Sequence, residues 1–342
     1  MKDELPIYPG ELFLEYHIVL FIQHNMDHHI VWMKENVVKE PVTLRVVAYG
    51  HIASILRSEP IPIGSNGSSM VIEYRLYSKE DSLRVSCSVD WKESHKTLRY
   101  QVPTEYRGDV ARFGAPFNFV DRSQIPQTHK EEGQWEVPAS RWASVLNGSM
   151  SDGLSIVTQA KYGFRAKMGT LSFTLLRSST FPDAKADRGM HTIQFAISRH
   201  EHKYGDNLIP TAAKADELFT QPFVLTRKEA EVIPATEPPI SFLVLGSAVP
   251  SWVMPSKTTN GFCIRLHEVA GANTHVSFSI PMSECVILVE TVNLNETPMV
   301  KLDASYSSNV PGTNDKFSTF DLPIAAYKIV TLRVSLLSQL RN

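Results

Sequence analysis

Five side chains able to bind a metal fall between positions 17 and 29: His17, His24, Asp27, His28 and His29. His24 and His28 have the i, i+4 spacing that places two imidazoles on one helix face, and imidazole suits zinc. A zinc site also needs a further ligand and groups that orient the ligands. Neither can be read from this run, so the histidines are expected to lie on an irregular N-terminal segment, and no metal is assigned to the chain. Carboxylates are the second chemistry. Hydrolysis of a glycosidic bond uses two of them, about 5 Å apart in a retaining enzyme, and Asp90, Glu93, Asp183 and Asp187 are the candidates. Asp90 closes an alternating run and Glu93 opens a turn, which predicts solvated charges. Trp91, Trp135, Trp142 and Trp252 are candidate platforms for the apolar face of a sugar ring. Trp91 is in phase with Leu83, Val85, Cys87 and Val89, which assigns it to a core, while Trp135 and Trp142 flank Pro138 and stay open. No Gly-x-Ser-x-Gly elbow, catalytic-cysteine context or glycine-rich phosphate loop occurs.

The elements that must position these groups are strands. In Ser82–Trp91 every odd position is apolar and every even one polar, the period of a half-buried strand. The same alternation recurs at Val42, Leu44, Val46; at Met70, Ile72, Tyr74, Leu76; at Leu171, Phe173, Leu175; at Ile193, Phe195, Ile197; at Val276, Phe278, Ile280; and at Val330, Leu332, Val334, Leu336. Turn clusters such as 64–68 and 147–149, rich in Asn and Gly, separate them. Many short strands without strand–helix alternation predict antiparallel β-sandwiches. Ala212–Phe219 is the clearest short helix, and Glu11–Val19 is ambiguous. Pro234, Pro238 and Pro239 mark a linker over Glu231–Pro239 and a domain boundary near 235.

Composition narrows the function classes. The 342 residues carry 34 Lys+Arg against 36 Asp+Glu, a net −2, without the basic excess that phosphate-backbone binding requires, so nucleic acid is excluded as a partner. Ile18–Ile22 is far shorter than the roughly 20 apolar residues of a membrane span, and no apolar leader follows Met1, so no membrane partner is assigned. Three cysteines, Cys87, Cys263 and Cys285, make no disulfide framework and fit a reducing compartment. The sequons at Asn66, Asn147 and Asn295 then read as chance matches.

Longer words of the sequence add a resemblance. Val89–Leu98 with Val102-Pro103, Gln127–His129, Trp135–Pro138, Arg141-Trp142, Lys161–Phe164, Leu175–Ser178, Pro182-Asp183, Asp187–Gly189 and His191 resemble, in order, the β-rich region of glycoside hydrolase family 38 α-mannosidases of cytosolic or vacuolar type. Ile264–Glu268, Val289–Leu294 and Ile329–Arg333 resemble the family's small terminal sandwich, so the likeness spans roughly 40–336. Leu5–Ile7 and Gly10–His17 look like the end of its catalytic domain, but the family's following Arg-Gly-Thr-Tyr run is replaced by Ile18–Phe21.

The resemblance implies an all-β chain: a remnant of the catalytic domain over 1–25, a large antiparallel β-sandwich of the galactose-mutarotase-like supersandwich type over 26–235, and a small C-terminal β-sandwich over 236–342. It implies a retaining α-mannosidase context, in which an Asp nucleophile and a zinc or other divalent ion, held by a His-x-Asp pair and further ligands, do the chemistry. No His-x-Asp pair occurs in these residues. The chain is therefore expected to be inactive alone, with no catalytic residue, metal or cofactor of its own. Arg177, in the loop that faces the family's pocket, is the candidate sugar contact; its local alternative is pairing with Asp183 or Asp187. The partners implied are α-mannosides and an intact mannosidase or a second copy of this chain, in the cytosol.

Overall fold

A computed structural model describes residues 17–26, 29–36, 42–201, 211–219, 247–269, 271–282, 286–303, 306–309 and 316–337. The chain divides into two compact units: 1–114 with 120–204, and 115–119 with 205–342. The linker expected at Glu231–Pro239 lies outside the described residues.

The first unit is a sandwich of two antiparallel sheets. Six strands run in the order Val137–Pro138, Gly163–Lys167, Thr170–Arg177, Lys96–Pro103, His17–Met26, His29–Asn36. The other sheet runs Asn118–Ser123, Val110–Ala115, Trp142–Leu146, Asp152–Thr158, Gly189–Glu201, Ser82–Trp91, Ser68–Tyr77, Ala53–Ser58, Leu44–Tyr49, with Ile61–Ile63 paired to Ser68–Tyr77. Alternation explains the second sheet well: Val85, Cys87, Val89 and Trp91 are buried on one face, and Ser86, Ser88 and Asp90 between them are half-buried. Aromatic rings join the sheets. Phe195 meets Tyr100 at 4.7 Å and Phe173 at 4.9 Å between centroids, both edge-to-face, the geometry the ring quadrupoles favour.

Three expectations change. His17 and His24 lie on strand His17–Met26 and His29 on His29–Asn36, not on an irregular segment. The apolar run Ile18–Ile22 pairs along Lys96–Tyr100, so strand geometry removes the helical spacing of His24. Val46 is 67% exposed although it alternates with Leu44, because Leu44–Tyr49 is the outer strand of its sheet. Glu93, expected to be solvated, is fully buried.

The second unit pairs a five-stranded sheet (Ala248–Pro255, Gly261–Glu268, Ile329–Leu337, Val286–Val292, Pro298–Leu302) with a three-stranded one (Thr274–Met282, Lys316–Ile324, Tyr306–Asn309). Ile264, Val289, Leu332 and Val334 from one sheet and Val276, Phe320 and Ile324 from the other form its core. Helix Thr211–Phe219 matches the segment predicted from Ala213, Ala215 and Leu218. At the turn 294–297, hydrogen bonds from the Ser256 hydroxyl at 2.6 Å and the Lys257 amide at 3.0 Å hold the Glu296 carboxyl at about 2.

Phe195 fills the seam between the large sheets, so Phe195→Ala leaves a cavity facing both. The expected loss is about 3–5 kcal/mol, measured as a lower urea midpoint at unchanged slope.

Candidate functional site

The loop leaving strand Thr170–Arg177 carries the site residues expected from the sequence, and hydrogen bonds fix its base. Ser178 donates its amide to the Lys96 carbonyl at 3.1 Å and its hydroxyl to the same oxygen at 2.9 Å. The His95 amide returns a bond to the Ser178 carbonyl at 2.8 Å. One serine thus clamps the loop to the corner between strands Ser82–Trp91 and Lys96–Pro103.

That corner is itself held by Glu93. Its carboxylate accepts from the amides of Ser65 (3.1 Å) and Asn66 (2.8 Å), from the Ser68 hydroxyl (3.2 Å) and from the Lys96 ammonium (2.6 Å). Burial alone would raise this carboxyl, but the Lys96 ammonium and the two amides outweigh it and hold it below the usual carboxylate range. Gly64 has φ +68, and a Cβ there would collide with the Glu93 side chain.

Within the loop, Asp187 accepts from the Arg177 amide at 2.7 Å, and its carbonyl accepts from the His191 ring at 2.8 Å. Asp183 accepts from the Lys185 amide at 2.8 Å and closes its own turn. Arg188 bonds the Ser94 hydroxyl. The Arg177 side chain is exposed, and its guanidinium makes no ion pair with a described residue; the expected pairing with Asp187 is made by the backbone instead. Phe181, 87% exposed, and Met190, 73% exposed, sit on the same segment.

Each of the four candidate carboxylates has a local partner. Asp90 pairs with Lys92 at 2.8 Å, Glu93 is consumed by the corner, and Asp183 and Asp187 shape the loop. The tryptophans are also occupied. Trp91 is fully buried and Trp142 nearly so. The Arg165 guanidinium lies 4.2 Å from the Trp135 ring centre, and that of Arg265 lies 4.8 Å from Trp252. Asp27 and His28 lie outside the described residues, as do the side chains of His17, His24 and His29. Among the described residues no three His, Cys, Asp or Glu side chains gather as metal ligands, and no helix is long and apolar enough to cross a membrane.

Sequence reasoning missed several buried ionic groups, two of them in the first unit. Arg99, 1% exposed, bonds Thr174 at 3.0 Å and Ser172 at 3.2 Å and pairs with Glu136. Burial lowers its guanidinium to about 10 despite Glu136, so it stays charged at neutral pH. Glu73 is clasped between Arg57 and Arg75, which outweigh its burial and keep it ionised. Only a charge interrupting an apolar run, as in Leu98-Arg99-Tyr100, signalled the first.

A large antiparallel sandwich with a clamped polar loop at one strand end, followed by a small sandwich, makes this an all-β, two-sandwich chain. The fold is that of an α-mannosidase from Enterococcus faecalis, with a TM-score of 0.69 at 13% identity over 93% of this chain and 38% of that one. A second E. faecalis structure, of a protein in glycosyl hydrolase family 38, has a TM-score of 0.68. In sequence, the chain is 26% identical over 214 residues to human alpha-mannosidase 2C1, covering 60% of this chain and 20% of that protein. It is 29% identical over 143 residues to an alpha-mannosidase of Saccharomyces cerevisiae, 42% of this chain and 13% of that one. Residues 22–185 match the family described as glycosyl hydrolases family 38 C-terminal domain. Residues 22–185 thus match the C-terminal domain of glycosyl hydrolase family 38, the relatives along the chain are α-mannosidases, and the match spans about a fifth of the human relative.

Glu93→Gln keeps the size but removes the charge that Lys96 and the turn amides satisfy, with an expected loss of about 1–3 kcal/mol at pH 7. A lowered carboxyl stabilises the fold above its unfolded value, and this contribution is lost as pH falls through the folded value. Urea unfolding of wild type and variant is therefore expected to differ at pH 7 and to converge in acid.

Proposed function

We propose that this chain serves hydrolysis of α-mannosyl bonds as the β-sandwich part of a mannosidase, and that these 342 residues do not perform the hydrolysis themselves. The match of 22–185 to the family 38 C-terminal domain carries the reading. The structural roles of Asp90, Glu93, Asp183 and Asp187 support the second half. So does the sequence, which holds no His-x-Asp pair of the kind that binds the ion in the family it resembles. On this reading the nucleophile and the Lewis acid, which open the covalent route and activate the leaving group, come from another part of the mannosidase. Its contribution is the loop of Arg177, whose exposed guanidinium offers donors to a sugar hydroxyl or a carboxylate at the edge of a pocket completed by a catalytic part. We place the protein in the cytosol. Cys87 and Cys263 are buried free thiols, and burial pushes Cys87 up to about 12, consistent with a reducing compartment.

A second reading, a non-catalytic sugar-binding or scaffolding module that associates with an intact mannosidase or with its own copies, is favoured by one observation. The outer strand Leu44–Tyr49 presents Val46, Val47 and Tyr49 to solvent, with Ile52, 79% exposed, in the turn beyond. A strand edge with no partner among the described residues and lined with apolar side chains is a ready pairing surface.

Given an aryl α-mannoside with zinc, cobalt or calcium, the purified chain is expected to show no turnover; metal-dependent hydrolysis refutes the first proposal. Calorimetry with mannose and mannobiose is expected to give heat at millimolar sugar that Arg177→Ala abolishes. Co-elution with a full-length family mannosidase that is lost in Val47→Asp/Tyr49→Asp supports the module, and elution as a lone monomer counts against it.

A further inference from the structure

On the first unit lies a cleft of about 340 Å³ that no residue of the Arg177 loop lines, bordered by strands Asn118–Ser123 and Gly163–Lys167 and helix His129–Gly133. Four cations line it: Arg122, Lys130, Arg165 and Lys167. None makes a hydrogen bond or ion pair with a described residue. Two guanidiniums are laid on aromatic rings, Arg165 on Trp135 at 4.2 Å and Arg122 on the buried Phe113 at 5.8 Å. The Arg122 Nε is enclosed and has no acceptor.

The acidic residues of the same wall are already engaged. Asp121 takes both arms of Arg112, at 2.8 and 3.0 Å. Glu131 closes the capping box of the short helix, accepting the Gln127 amide at 2.7 Å and the Thr128 amide at 3.2 Å. Glu132 faces His129 at 3.5 Å. Glu136, next to Trp135 in sequence, pairs with Arg99. Burial lowers the Arg165 guanidinium and no carboxylate opposes the shift. Four cations thus line the cleft against three carboxylates, one of them, Asp121, already held by Arg112, so the cleft carries a net positive charge in partial shelter from water, where an unpaired cation is costly.

We propose that this cleft binds a small phosphate-bearing molecule, its phosphate held by Arg165, Lys167 and Arg122 with Lys130 at the rim. A planar guanidinium matches two phosphate oxygens at once, and a phosphate dianion carries enough charge to satisfy several cations. The volume is at the low end for ligand pockets, roughly 300–1,000 Å³, and fits a monophosphate ester in preference to a polymer. The aromatic supports fix both guanidiniums before the ligand arrives, which lowers the ordering cost of binding.

Titration calorimetry on the full chain, at constant ionic strength with chloride as the balancing anion, tests this with inorganic phosphate, a hexose 6-phosphate and the free hexose. Both phosphates are expected to bind at least about tenfold more tightly than the hexose, with affinity falling as salt rises. The Lys167 ammonium makes no hydrogen bond or ion pair with a described residue, so Lys167→Gln tests the charge; Arg165→Gln tests the stacked guanidinium, with thermal unfolding as the folding control for both. Each is expected to weaken phosphate binding about tenfold or more. Equal affinity for both phosphates identifies free phosphate as the ligand, and tighter binding of the ester identifies a sugar phosphate. The proposal is overturned if no saturable binding occurs up to about 10 mM, if the free hexose binds as well, or if both folded variants bind phosphate unchanged.

Discussion

A carboxylate withdrawn from water must find donors nearby, and Glu93 organises its surroundings by that requirement. Its oxygens collect two backbone amides and a hydroxyl from the 64–68 turn and the ammonium of Lys96. This ties a turn more than twenty-five residues upstream to the corner between two strands that lie in different sheets. Ser178 then fastens the Arg177 loop to the same corner through the Lys96 carbonyl. The orientation of the loop that carries the exposed guanidinium of Arg177 near its root therefore depends on a buried ion. Removing one partner of such a group leaves the other stranded, which is why the arrangement tolerates so little change.

The same rule recurs across the first unit. Arg99 and Glu73 are each surrounded by groups that satisfy their charge, and each cross-links neighbouring strands on a sheet surface. Arg165 breaks the rule: it is sheltered, lies on the Trp135 ring, and makes no ion pair with a described carboxylate. A fold that pairs its sheltered charges with care and leaves one cationic cleft unpaired marks that cleft as different in kind. Catalytic chemistry is not assigned to the carboxylates, since all four candidates have structural partners.

Much of the fold was legible because a strand with one face in the core must alternate. Ser82–Trp91 and the runs through Ile72, Phe173 and Phe195 follow from that period alone. The signal failed where its premise failed. Lys96–Pro103 is buried from Thr97 to Val102 on both faces, so Arg99 and Gln101 stand among apolar neighbours with no period to place them. Leu44–Tyr49 alternates in part but borders its sheet, so its apolar residues stay exposed. Glu93 follows a strand end, where turns put charges in water unless distant donors converge on them, and those donors lie near residue 65.

The sequence by itself determined the class: near-neutral charge, period-two apolar runs and family 38 words in order set an antiparallel sandwich of mannosidase type. It also supplied the loop and Arg177 as its candidate contact, since motif order survives when overall identity is low. Tertiary structure alone decided which charges are sheltered, which carboxylates are already engaged, that Trp135 and Trp252 are covered by guanidiniums, and that four cations converge on one cleft. The physical reason is range. Alternation is set by neighbours two residues apart, whereas the state of a charge is set by whatever the fold brings within a few ångströms, from segments tens of residues away.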